Sequence, residues 1–172
     1  TDAERLIGSQ QKAGRFLRIP ISLPGEDPDV FAKLMHFMYG LPVCLSIVQT
    51  VQFYQCADRY GATAAMDQSF AAITQWAAEG KCCEVYDAGR RVGAKRVAQY
   101  CWKYIVRLLE YLVADPTSDI EKLSSNSLLS VIQSTELVVR SEEIILKLVL
   151  RWVMVDLQDR FRCLAGCLLC IQ

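Results

Sequence analysis

The chain reads as a mainly α protein with one short strand near its N-terminus. Apolar residues recur at helical spacing through most of the sequence after Leu23. Asp, Ser and Gly punctuate those runs where helices start and stop. Only Arg15-Phe16-Leu17-Arg18-Ile19-Pro20-Ile21-Ser22-Leu23 partly alternates apolar with polar residues around a β-branched centre.

Residues 1–14 are polar and read as a loop or tail. The strand follows, and Pro20 confines it to a sheet edge or a strand end, because proline cannot donate to a ladder. Pro24-Gly25-Glu26 is a turn, Asp27 a cap, and Pro28 suits the first position of a helix. That helix carries Phe31, Leu34 and Met38 as one stripe and ends near Gly40. Val30 and Phe37 lie off the stripe, so the helix is apolar on more than one side and must be buried or meet a partner. Further helices are predicted over about 46–60, 64–78, 82–92 and 94–114, with Gly61, Gly80 and Gly93 as stops. Asp115-Pro116-Thr117-Ser118-Asp119 breaks the chain, and three shorter helices follow over about 126–133, 141–156 and 158–171. In the second of these, Ser141 caps, and Glu142 and Glu143 sit at the positive end of the helix dipole. Ile145, Leu148 and Trp152 form its core stripe.

Composition narrows the class. A hydrophobic content of 52% in 172 residues is enough for a real core and excludes a disordered chain. Lys+Arg and Asp+Glu both count 19, so no net charge draws the protein to nucleic acid or to an anionic membrane. No apolar run is long enough to span a bilayer, since Lys147 and Arg151 interrupt the best candidate. No signal peptide is visible. The eight cysteines lie mostly in apolar helical surroundings, which favours reduced thiols inside a cell, in cytoplasm or nucleus.

Two stretches resemble known families. Residues 17–60 resemble the C-terminal half of a BTB/POZ domain. The resemblance rests on the strand, the turn Glu26-Asp27-Pro28, the phrase Val30-Phe31-Ala32-Lys33-Leu34-Met35-His36-Phe37-Met38-Tyr39-Gly40, and Gln55-Cys56-Ala57-Asp58-Arg59-Tyr60. The later part resembles the BACK domain that follows BTB in many ubiquitin-ligase adaptors. Here the residues are Tyr86-Asp87-Ala88-Gly89-Arg90-Arg91-Val92-Gly93-Ala94-Lys95-Arg96-Val97, Ser127-Leu128-Leu129-Ser130-Val131-Ile132, and the helix from Ser141 followed by Asp159-Arg160-Phe161. Small residues in the first phrase let two helices approach closely. The combination is similar to plant-type BTB-BACK proteins more than to kelch-bearing animal ones. The expected division is 1–79, the C-terminal part of BTB, and 80–172, BACK, at the break Glu79-Gly80-Lys81. The first helix and paired strands of a BTB domain are not in this sequence, so the resemblance implies further sequence upstream.

Other constellations have plainer readings. Cys163, Cys167 and Cys170 share a helical face, but their apolar neighbours favour packing over zinc or redox chemistry, and the sole histidine, His36, is far away in sequence. The Cys82-Cys83 pair reads as incidental. His36 has no identifiable orienting partner for catalysis. The run from Gly89 to Arg96 is one residue short of a P-loop, lacks its GK[ST] ending, and reads as a helix junction with a solvated basic face. Trp76, Trp102 and Trp152 read as core.

The resemblance implies a non-enzymatic interaction module without cofactor or metal: a substrate adaptor of a cullin-RING ubiquitin ligase. Phe31, Met35 and Tyr39 are the residues carried over to the cullin-facing surface. It also implies homodimerisation through a complete BTB domain, and a ubiquitination substrate held by a region outside this chain. The alternative is a BTB-BACK oligomerisation scaffold in transcriptional regulation that binds no cullin. A helical enzyme or metal protein is the third reading.

Overall fold

The computed structural model describes Gly25 and residues 27–168, with side chains described as far as Arg162. The expected strand over 15–23 lies outside the described residues, and so do the side chains of Cys163, Cys167 and Cys170. The described part is mainly helical, with no strand among those residues. The helices are α1 (Pro28–Met38), α2 (Ile47–Arg59), α3 (Thr63–Ala78), α4 (Cys82–Val92), α5 (Lys95–Ala114), α6 (Ser125–Ile132), α7 (Glu142–Val155) and α8 (Leu157–Leu168), with a 3-10 turn at Ile120–Lys122. No described helix is long and apolar enough to cross a membrane.

Local chemistry sets most boundaries. Asp27 accepts bonds from the amides of Asp29 (2.9 Å) and Val30 (3.4 Å), with Pro28 opening α1. Ser46 and Gln49 form a reciprocal capping box at α2. Ser124 caps α6 and Ser141 caps α7. Gly93, with φ +75°, terminates α4 in the left-handed region that only glycine adopts without strain.

α4 starts differently. Lys81 supplies no side-chain cap. Asp119, from the connection after α5, accepts from the amides of Cys83 (3.1 Å) and Glu84 (2.8 Å). A carboxylate remote in sequence thus does the work of an N-cap. The close approach expected of the small residues is real: a Cβ on Gly89 would stand 3.2 Å from the backbone nitrogen of Ala98, so α4 and α5 meet nearly backbone to backbone.

Two apolar clusters result. A small one joins Val30 and Leu34 of α1 to Phe53, Cys56 and Ala57 of α2 and Ala65 of α3. A large one gathers α4 to α7 with parts of α2 and α3, and Trp152, Ile145 and Leu148 lie within it as expected. Three expectations need correction. Met38 is 63% exposed and does not continue the buried line, because the α1 side chains that face α2 are Val30 and Leu34, one helical step apart. Trp76 and Trp102 are only half-buried, packed against the margin of the large cluster.

Trp152 is 1% exposed, and its indole N–H donates to the carbonyl of Leu123 at 2.7 Å. Arg160 covers its ring at 4.4 Å. Truncating so buried an aromatic removes transfer energy and leaves a cavity. Trp152→Ala should therefore cost about 3–5 kcal/mol in chemical denaturation. An unchanged denaturation midpoint would contradict this placement.

Candidate partner-binding surface

The surface of interest forms where α1 stops. The Gly40 amide bonds the Phe37 carbonyl (2.9 Å), and the Leu41 amide reaches back to the carbonyl of His36 (2.9 Å). With Gly40 at φ +73°, this is a six-to-one closure that ends the helix abruptly. The chain then runs through Leu41, Pro42 and Val43 without regular structure to the cap of α2. The abrupt stop leaves Met38, Tyr39 and Leu41 exposed at 63%, 82% and 51%. Three large apolar groups so close in sequence make a patch, unlike the scattered apolar residues of an ordinary surface.

Phe37 and Val43, which bracket these three in sequence, line a pocket of about 180 Å³ together with Leu45, Phe53, Ala72 and Trp76, with Thr50, Gln68 and Ser69 also lining it. Phe37 and Phe53 meet edge to face at 5.9 Å. The two hydroxyls are already committed: Thr50 Oγ1 donates to the Ser46 carbonyl (3.0 Å) and Ser69 Oγ to the Ala65 carbonyl (2.6 Å). Gln68 is the one remaining polar side chain in this lining. Such a site suits apolar side chains of another molecule and offers no group for acid, base or nucleophilic work.

The three residues expected at a partner surface divide. Tyr39 protrudes into solvent. Phe31 and Met35 are half-buried against the small cluster, and Phe31 also meets Tyr60 at 5.3 Å. The three lie four residues apart on one side of α1, yet only Tyr39 is free to act as an anchor without disturbing packing. Met38, Leu41 and Trp76 went unrecognised. The available signal was the apolar loop itself: Leu41 and Val43 flank Pro42 outside any helix, where an apolar side chain has no core to enter.

His36 is exposed, in keeping with a surface histidine. The Cys82 and Cys83 thiols lie within 4.8 Å of each other and of the Asp119 carboxylate, all buried. Both Asp119 oxygens accept backbone amides, and the neighbouring Cys82 thiol together with burial holds the Cys83 pKa well above the usual thiol value. Burial likewise raises the nearby Cys101. With no cation bound, the thiolate form is strongly disfavoured there.

None of the five described cysteines is in a disulfide, and Cys44 alone is exposed. Brief alkylation of the native protein, read by peptide mass spectrometry, should therefore label Cys44. Cys56, Cys82, Cys83 and Cys101 should react only after unfolding. Rapid labelling of Cys83 without loss of structure would contradict the burial.

Comparison with known proteins agrees with this architecture. The family described as BACK, BTB And C-terminal Kelch, matches residues 82–172. Human Kelch-like protein 40 is 22% identical over 148 residues, which is 86% of this chain and 23% of that protein. Mouse Kelch-like protein 41 is 20% identical over 152 residues, covering 88% of this chain and 25% of its own length. Kelch-like protein 40 of Xenopus laevis is 20% identical over 144 residues, with 84% and 23% covered. The chain thus spans about a quarter of the length of the curated relatives it matches. Alignments of this length reach upstream of residue 82, into the part that resembles BTB. These relatives are vertebrate kelch-like proteins and lend the plant-type expectation no support. By its match over more than half of the sequence, the chain belongs to the BACK family.

Proposed function

We propose that this chain is the BTB-BACK region of a substrate adaptor for a cullin-RING ubiquitin ligase, with residues 1–79 from the end of a BTB domain and 80–172 from BACK. The observation that carries the reading is the exposed Met38-Tyr39-Leu41 patch beside a small apolar pocket. Such a pairing of protruding anchors with a largely apolar recess suits a protein partner, because interface energy concentrates in a few large apolar and aromatic residues.

The mechanism is positional. The α1–α2 surface grips a cullin through Tyr39, with Phe31 and Met35 supporting it from the small cluster. The α4–α8 body sets the distance and angle to a substrate-binding region outside this chain. A complete BTB domain makes the homodimer. Ubiquitin transfer occurs on the recruited ligase, inside the cell, and the adaptor supplies proximity without chemistry of its own. The half-buried setting of Phe31 and Met35 gives their substitutions a second consequence, loss of packing, that Tyr39 does not share.

Tyr39→Glu, in a protein carrying the complete BTB domain, should abolish cullin binding at micromolar concentrations and leave the melting temperature unchanged. Phe31→Glu should lower both. Wild-type protein that shows no cullin binding at those concentrations would remove the adaptor reading and favour the oligomerisation scaffold.

A further inference from the structure

The basic run at the end of α4 has a setting its sequence did not disclose. α4, the 3-10 turn, the start of α6 and Arg160 of α8 enclose a polar cleft of about 460 Å³. Its lining holds four cations, Arg90, Arg91, Lys122 and Arg160, against two carboxylates, Glu84 and Asp87, a net charge of +2.

Both carboxylates are engaged within the fold. Asp87 accepts from the Ser124 amide (2.5 Å), from the Ser124 hydroxyl (3.1 Å) and from the Ser127 hydroxyl, so it already fills the N-terminal end of α6. Glu84 pairs with Lys122 at 2.5 Å. Two of the cations, Arg90 and Arg91, are less committed. Arg91 is exposed, and its side chain has no partner among the described residues. Arg90 reaches Ser127 Oγ only at 3.4 Å and leans on the Tyr86 ring at 5.8 Å. Arg160 is held rigidly: its Nη1 donates to the carbonyls of Glu121 (2.9 Å) and Trp152 (2.7 Å), which fixes the guanidinium at the cleft wall before any ligand arrives.

We propose that this cleft binds a phosphate monoester, held by Arg90, Arg91 and Arg160. Guanidinium forks match pairs of phosphate oxygens, and here they come from two separate helices. A carboxylate is flat and carries a single charge on two oxygens. A phosphate monoester carries about two negative charges and three acceptor oxygens, which suits several guanidiniums and the net charge of the cleft. The volume lies within the range of small-ligand sites and leaves room for the groups that carry the phosphate. That group has two sources, a phosphorylated side chain of a partner protein or a soluble phosphorylated metabolite. The proposal does not depend on the cullin reading, since the cleft is built by α4, α6 and α8 and shares no residue with the Tyr39 surface.

The test is a binding titration of the whole chain with three probes: a labelled phosphoserine peptide with neutral flanks, its unphosphorylated twin, and inositol hexakisphosphate. At least one phosphorylated probe should bind saturably at submillimolar concentration and weaken as salt rises. Arg91→Glu should weaken it by at least about tenfold, the scale of one lost charge-assisted bond. Lys103→Glu, on α5 outside the cleft lining, should leave it unchanged, and both variants should keep the wild-type circular dichroism. Binding of the peptide assigns a protein partner, and binding of inositol hexakisphosphate alone assigns a small molecule. Equal binding of the unphosphorylated twin, indifference to Arg91→Glu, or no saturable binding of either phosphorylated probe up to millimolar concentration would overturn the proposal.

Discussion

A buried carboxylate organises the larger half of this protein. Asp119 sits in the short connection between α5 and α6, 6% exposed, and receives the first free amides of α4. Desolvating a charged carboxylate costs several kcal/mol. Two charge-assisted hydrogen bonds, each of about 1.5–3 kcal/mol, and the positive end of the helix dipole offset it. Burial outweighs those bonds in setting its proton affinity, and the Asp119 pKa is raised above the ordinary carboxylate value. Ionisation is therefore harder in the fold than in the unfolded chain. Its contribution to stability grows as pH falls through the interval between the folded and the ordinary values, the reverse of a carboxylate held by an exposed ion pair.

The same connection receives bonds from nearly every neighbouring helix. Arg151 of α7 donates to the carbonyls of Asp115 (2.7 Å), Pro116 (3.3 Å) and Ser118 (3.0 Å), to the last carbonyls of α5, and to Glu121 (2.9 Å). The Trp152 indole bonds Leu123, and Asp87 of α4 holds Ser124. A segment of some ten residues without a regular helix would ordinarily be a surface loop exposing its polar backbone. Here α4, α7 and α8 supply the partners, so the connection can run inward and the helices cannot shift without breaking charged contacts. The α1–α3 end has a different character. Its core is small and apolar, and its exposed residues face outward at an abruptly ended helix.

How far this could be read in advance depended on whether a signal was local. Asp27 and Ser141 announced their helices because each cap lies beside the amides it serves. Gly93 marked the end of α4 for the same reason, and the small residues near Gly89 foretold the tight α4–α5 contact. Asp119 read only as part of a turn, since the amides it caps are 35 and 36 residues away. Arg151 read as a charge that interrupts an apolar run, and nothing nearby indicated the carbonyls it gathers. At the candidate surface, the resemblance supplied Phe31, Met35 and Tyr39, and helical spacing could not tell which of them α2 would cover. Met38 was misplaced inward for the same reason.

Amide hydrogen exchange tests the organising role of the connection most directly. If the Asp119 anchor is integral to the fold, the amides of Cys83, Glu84, Asp119 and Ser124 should exchange only through global unfolding, with the same opening free energy as the central amides of α5 and α7. Exchange of those four at the rate of open loops, while α5 and α7 stay protected, would contradict the account.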